Sequence, residues 1–112
     1  DPAMGDRALQ TVALAWPDTP QAREANARLG DLRVSAGDQA GAVAFYAAAL
    51  EGWPTAPWAG ATVLELATAL NATDRKTQGC AALGEFTRRY APAASDTLKA
   101  RATQMRTTAG CS

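Results

Sequence analysis

Apolar residues recur along this chain at steps of three and four rather than two, the spacing that lines one face of an α-helix. Ala22, Ala25, Leu29, Leu32 and Ala36 form one such stripe, and Ala42, Phe45, Tyr46, Ala49, Leu50 and Trp53 form the next. Val63, Leu66, Ala67 and Leu70 follow, then Gly79, Ala82, Leu83, Phe86 and Tyr90. A last stripe, Leu98, Ala102 and Met105, has Thr, Lys and Arg on its other sides. Helix signals punctuate the stripes. Thr19 is a candidate N-cap with Pro20 at the first helical position, Gly37-Asp38 stops one helix and caps another, and Pro54 ends a third. Pro57 is expected to open the next helix, Asn71 to Asp74 to make a turn, and the final helix to start near Ser95. With a helix from about Ala3 to Ala15, the pattern predicts six helices. Its buried residues are Leu29, Leu32, Phe45, Tyr46, Leu50, Leu66, Leu70, Leu83 and Phe86.

The stripes repeat. Trp16-Pro17-Asp18-Thr19-Pro20 returns 37 positions later as Trp53-Pro54-Thr55-Ala56-Pro57, and again as Tyr90-Ala91-Pro92. In the same frame Leu29 aligns with Leu66, Gly30 with Ala67, Leu9 with Tyr46 and Leu83, and Gly5 with Ala42 and Gly79. A fixed period of this size marks stacked helix pairs. Small residues at Gly5, Ala42 and Gly79 are expected where a neighbouring helix comes close, and Trp16, Trp53 and Tyr90 are expected to pack at helix ends. Trp58, with no aromatic counterpart at Gln21, is equally readable as exposed.

Leu29-Gly30, Ala42, Tyr46, Ala49 and Pro54 stand at the spacings of a tetratricopeptide (TPR) repeat, and the chain resembles that class. The resemblance implies an all-α solenoid of about two and a half repeats. Residues 1–112 would then form one TPR-like domain. Its parts would be 1–15, the second helix of an incomplete repeat; 16–52 and 53–89, two repeats; and 90–112, a C-terminal capping helix. The aromatic-Pro junctions, the 37-residue period, Leu29-Gly30-Asp31-Leu32 and Cys80-x-x-Leu83-x-Glu85-Phe86-x-Arg88-Arg89-Tyr90 with a last Cys111 carry a closer likeness. They resemble the C-terminal repeat domain of the YbgF (CpoB) family of Tol-Pal system proteins. Ala91 departs from the Pro that this family usually has after the aromatic. The resemblance implies a periplasmic protein and a homotrimer formed through a coiled coil upstream of Asp1. It also implies binding to TolA and a role in cell division, coordinating outer-membrane constriction with the septal peptidoglycan synthesis machinery.

Composition agrees with helices and narrows the chemistry. Of 112 residues 28 are Ala, only four are Val and none is Ile, which favours helix over strand. No His is present, removing the usual general base and the commonest metal ligand. Eleven basic and eleven acidic residues cancel, so no global positive field exists to hold nucleic acid. Residues 1–56 carry seven acids and four bases, and residues 57–112 four acids and seven bases, so the halves are oppositely charged. No apolar run reaches the length that spans a bilayer, and no membrane insertion is expected. Gly30, Gly37 and Gly41 lack the Lys-Ser/Thr of a phosphate loop. Asn71-Ala72-Thr73 is formally a glycosylation acceptor and carries little weight. Glu24 and Asp31 read as solvated charges on one helix face. Cys80 and Cys111 form neither a Cys-x-x-Cys motif nor an ordinary zinc site. A disulfide tying the last helix to the fifth is one reading, and it requires the chain to leave its helix near Ala109-Gly110. One buried and one free thiol is the other. No catalytic, cofactor or metal site is expected, and the chain is not expected to be an enzyme.

What remains is a surface for a protein partner. In a stack of helix pairs the first helices line the concave face, and the frame places there Glu24, Ala27, Asp31, Val34, Ser35, Ala61, Leu64, Thr68 and Asn71. Asp31 and Leu64 are expected at its surface. Repeat domains that clamp a C-terminal carboxylate resemble one another in carrying Lys and Asn where this chain has Ala27 and Asp31, which argues against that role. Two classes stay open: a non-catalytic scaffold of the cell envelope, and a TPR-type periplasmic assembly-factor lipoprotein for outer-membrane biogenesis.

Overall fold

The computed structural model describes residues 2–15 and 18–111, the side chains of residues 2–6, 13 and 15 excepted. The fold is all-helical: six α-helices and one short 3₁₀ turn, with no strand among the described residues. They are α1 (Pro2–Ala15), α2 (Pro20–Ser35), α3 (Gln39–Ala49), α4 (Ala59–Ala72), α5 (Lys76–Arg89) and α6 (Asp96–Ala109), with the 3₁₀ turn at Ala91–Ala93 where the aromatic-Pro junction has lost its first Pro. The chain divides into two compact units, Asp1–Gly52 and Trp53–Ser112.

In the first unit α2 packs against both α1 and α3. Thr19 caps α2 as the sequence predicts, its hydroxyl accepting from the Ala22 N–H at 3.1 Å. Gly37 takes φ +79° and lets the Asp38 N–H return to the Arg33 carbonyl at 2.8 Å while Gly37 itself bonds Val34, the paired closure that ends many helices. Asp38 then caps α3 through the Gly41 N–H at 2.8 Å. Leu29, Ala42, Tyr46, Ala49 and Leu50 are buried. The Tyr46 ring lies directly against Gly30, where a Cβ would collide with it, so Gly30 is the hole and Tyr46 the knob that fills it. Two expected core residues differ. Leu32 and Phe45 are half-buried, and Phe45 instead carries the Arg33 guanidinium 5.3 Å from its ring centre.

In the second unit α4 packs along α5, and α6 rests on both. Val63, Leu64, Leu66, Ala67, Leu70, Leu83 and Phe86 are buried. At the aligned position the Gly30–Tyr46 pair becomes Ala67 and Leu83, a small residue enlarged and a large one reduced, both still buried. Gly79 is a close-approach point as expected, since a Cβ there would run into Asn71. The surroundings of Gly5, its aligned counterpart, lie outside the described residues. Pro57 does not open α4. It sits in a turn whose Ala59 N–H bonds the Ala56 carbonyl at 3.0 Å, and the helix begins at Ala59.

Helix-end packing is visible for Trp53 and Tyr90, while Trp16 lies outside the described residues. Tyr90 donates its hydroxyl to the Pro54 carbonyl at 2.8 Å, and the Arg89 guanidinium stands 5.0 Å over the Trp53 ring. The end of α5 thus pins the segment that precedes α4. Trp58 is half-buried, and its carbonyl accepts the Thr62 hydroxyl at 3.1 Å.

Cys80 and Cys111 form a disulfide, their Cα atoms 5.5 Å apart. The chain leaves α6 where expected. Gly110 takes φ +70° and bonds Thr107, and the Cys111 N–H reaches back to the Arg106 carbonyl at 3.0 Å. This closure folds Cys111 beneath the helix end and toward α5.

Candidate functional site

The candidate site is a cleft of about 540 Å³ in the second unit, lined by Thr68, Asn71, Asp74, Lys76, Gln104, Met105, Thr108 and Ala109. One wall is the C-terminal half of α4, which presents Thr68 and Asn71 one helical turn apart. The opposite wall is the C-terminal half of α6, where Gln104, Met105, Thr108 and Ala109 share a face for the same reason. The turn between α4 and α5 closes one end with Asp74 and Lys76.

Thr68 donates its hydroxyl to the Leu64 carbonyl at 2.9 Å, leaving its oxygen to accept. The Gln104 amide donates to the Thr108 hydroxyl at 3.3 Å. Asn71 Oδ1 is sealed from solvent without a hydrogen-bond partner and faces Gly79. The Lys76 ammonium lies beside Gly110, 3.3 Å from where a Cβ would stand, a favourable place for a cation at a helix C-terminus. An ammonium, a carboxylate, two amides and two hydroxyls around Met105 and Ala109 suit a ligand carrying both polar backbone and apolar side chains.

The residues expected on the concave face separate into four groups. Thr68 and Asn71 line the cleft. Glu24 and Ser35 are exposed and Val34 and Ala61 half-buried, on neither side of it. Ala27 and Leu64 are buried, Leu64 fully, so the expectation that Leu64 offers a binding surface is corrected. Asp31 is exposed and has a structural task, accepting the Tyr46 hydroxyl at 2.6 Å. With Ala8, Leu9, Arg28 and Leu32 it also lines a shallower hollow of about 490 Å³ in the first unit. Sequence reasoning missed Lys76, Gln104, Met105 and Thr108. The signal was present in the one-sided stripe of the last helix, whose half-buried Met105 lines the wall.

Two titrating groups in this unit are displaced from their ordinary values. Hydrogen bonds from Arg89 at 2.6 Å, and then from Arg88, hold the Glu85 carboxyl below the usual carboxylate range. Burial pushes the Tyr90 hydroxyl up, against a smaller opposing pull from the Arg89 charge. Glu85 lies in the C-terminal half of α5 and Tyr90 just after its end, away from Lys76 at its start. Among the described residues no three His, Cys, Asp or Glu side chains converge as a metal site, and no helix is long and apolar enough to cross a membrane.

No family model, no curated protein and no solved structure matches this chain.

Proposed function

We propose that this protein is a non-catalytic, TPR-like interaction module of the bacterial cell envelope. On this reading it binds a protein segment of the Tol-Pal machinery, TolA foremost, and links it to septal peptidoglycan synthesis during cell division. The observation that carries a binding role is the α4–α6 cleft, which offers hydrogen-bonding groups on both walls around Met105 and Ala109. The helix-pair repeat, with Gly30 receiving Tyr46, supports the TPR-like reading. The disulfide supports an oxidising compartment such as the periplasm. TolA as the partner rests on the sequence resemblance.

Binding is expected to be modest, because a short cleft must order an extended segment. The test is calorimetry of TolA binding to the variant carrying Thr68→Arg and Gln104→Arg. Both positions are exposed on opposite walls, so the fold, read by circular dichroism, is retained. A loss of about tenfold or more in affinity supports the cleft as the site. Unchanged affinity with native dichroism rejects it. A carboxylate at Leu64 is unsuitable for this purpose, since it would disrupt the core instead of the surface.

A further inference from the structure

The cleft wall contributed by α6 is formed by the C-terminal half of that helix. Ala102 is the one buried residue of that helix, and every α6 residue lining the cleft lies after it. Toward the N-terminal end, α6 is anchored well. Leu98 packs over Gly60, 3.5 Å from where a Cβ would stand, and Arg101 reaches Glu65 of α4 at 2.8 Å. Beyond Ala102, Arg106 reaches the Thr87 hydroxyl of α5 at 3.5 Å. Met105 and Ala109 are half-buried, and Gln104 and Thr108 are exposed. The covalent tie comes last, at Cys111, which joins this end of α6 to Cys80 on α5. Neither cysteine is fully buried, so a reductant can reach the bond.

We propose that the Cys80–Cys111 disulfide is a redox latch on the cleft, holding the α6 wall in place when oxidised and releasing it when reduced. The inference rests on the reading of the cleft as the binding site, and it supplies that site with a regulator. A dithiol reductant attacks one sulfur, the S–S bond breaks, and a mixed disulfide forms. The second thiol of the reductant then displaces the remaining protein sulfur. Two electrons and two protons pass to the protein, leaving thiols on Cys80 and Cys111 and a disulfide in the reductant. Release is local. The core of α5, with Ala82, Leu83 and Phe86, and that of α4 are buried, whereas the residues of α6 after Ala102 are half-buried or exposed. Segments of low local burial open without global unfolding.

Hydrogen exchange read by mass spectrometry on the whole chain tests this without any partner, before and after treatment with dithiothreitol, with thiol alkylation confirming reduction. Backbone amides from Thr103 to Ala109 are expected to exchange about tenfold faster in the reduced protein, while those of α4 and α5 keep their protection. The Cys111→Ser variant is expected to show the same pattern in the absence of reductant. Unchanged α6 exchange in fully reduced protein overturns the latch. Loss of protection across α4 and α5 as well overturns it too, making the bond a staple of the whole unit. Because TolA plays no part in the measurement, a failed TolA titration and a failed latch are separate results.

Discussion

Tyr46 shows how much one side chain decides. Its ring fills the space that Gly30 leaves, its hydroxyl reaches Asp31 at 2.6 Å, and the residue is fully buried. Tyr46→Ala is expected to cost about 3 to 5 kcal/mol in urea unfolding, since it empties a packed site. Tyr46→Phe keeps the ring and loses one hydrogen bond at a partly exposed carboxylate, so its expected cost is about 1 kcal/mol. A second pair of residues separates backbone from packing. Gly37 and Asp74 are 37 positions apart and both adopt positive φ, +79° and +59°. The Cys111-type closure recurs at each, with the Arg75 N–H returning to the Leu70 carbonyl at 2.8 Å. Asp pays a steric penalty there that Gly does not. Asp74→Gly is therefore expected to raise stability by about 0.5 to 1 kcal/mol. Gly37→Ala meets nothing within 4 Å, so the destabilisation it produces in the same assay reports conformation alone.

Among the elements, α3 and α5 occupy the same place in successive repeats and start differently. Asp38 caps α3, but at the aligned position Arg75 precedes α5 with a similar backbone and no side-chain cap bond. Arg75→Asp is expected to supply the missing acceptor and add about 1 kcal/mol, measured by thermal or urea unfolding. A failure of Arg75→Asp to stabilise would mean that the first turn of α5 gains nothing from an acceptor there. At the other extreme α6 has a capped start, Ser95 accepting from the Leu98 N–H at 3.1 Å, and a closed end, yet little buried surface. Its disulfide, with a sequence separation of 31, fastens the end of α6 to α5. That tie matters more to α6 than to any other helix.

For the whole molecule, the absence of His removes the side chain that ordinarily titrates near neutrality, and the displaced groups lie on either side of that range. Glu85 is held below its usual value by Arg89 and Arg88. It therefore favours the folded state fully above the ordinary carboxylate range, and the contribution is lost as pH falls through its lowered value. Being on the surface, the effect is small and screened by salt. Tyr90 is raised by burial, so the folded state prefers the protonated hydroxyl that donates to Pro54. This contribution is intact below the ordinary tyrosine value of about 10 and disappears as pH rises through the raised one. Unfolding free energy measured against pH is expected to be flat from about 5 to 9 and to fall at both ends. Glu85→Gln should flatten the acid limb and Tyr90→Phe the alkaline limb. An unchanged alkaline limb in Tyr90→Phe would assign that loss to other groups.

Periodicity alone determined the helices, their number and most of their ends, because amphipathic spacing, Thr19, Gly37-Asp38 and Ser95 act within a few residues of where they stand. The exit of the chain near Ala109-Gly110 is legible in the sequence only as a requirement of the disulfide reading, and Gly110 meets it with φ +70°. Tertiary structure decided what depends on distant partners. Leu32 and Phe45 lie on the apolar stripes but stay half-buried, because a stripe is wider than the neighbour that covers it. Leu64 was assigned to a surface and is buried, since a repeat frame gives a residue's position on its helix but not what packs over it. The pairing of the two cysteines was one of two readings until α6 was seen to turn Cys111 toward α5. The cleft itself combines residues more than thirty positions apart, Thr68 and Asn71 with Gln104 and Thr108. No local signal specifies such a meeting, which follows from how α6 is held against α4 and α5.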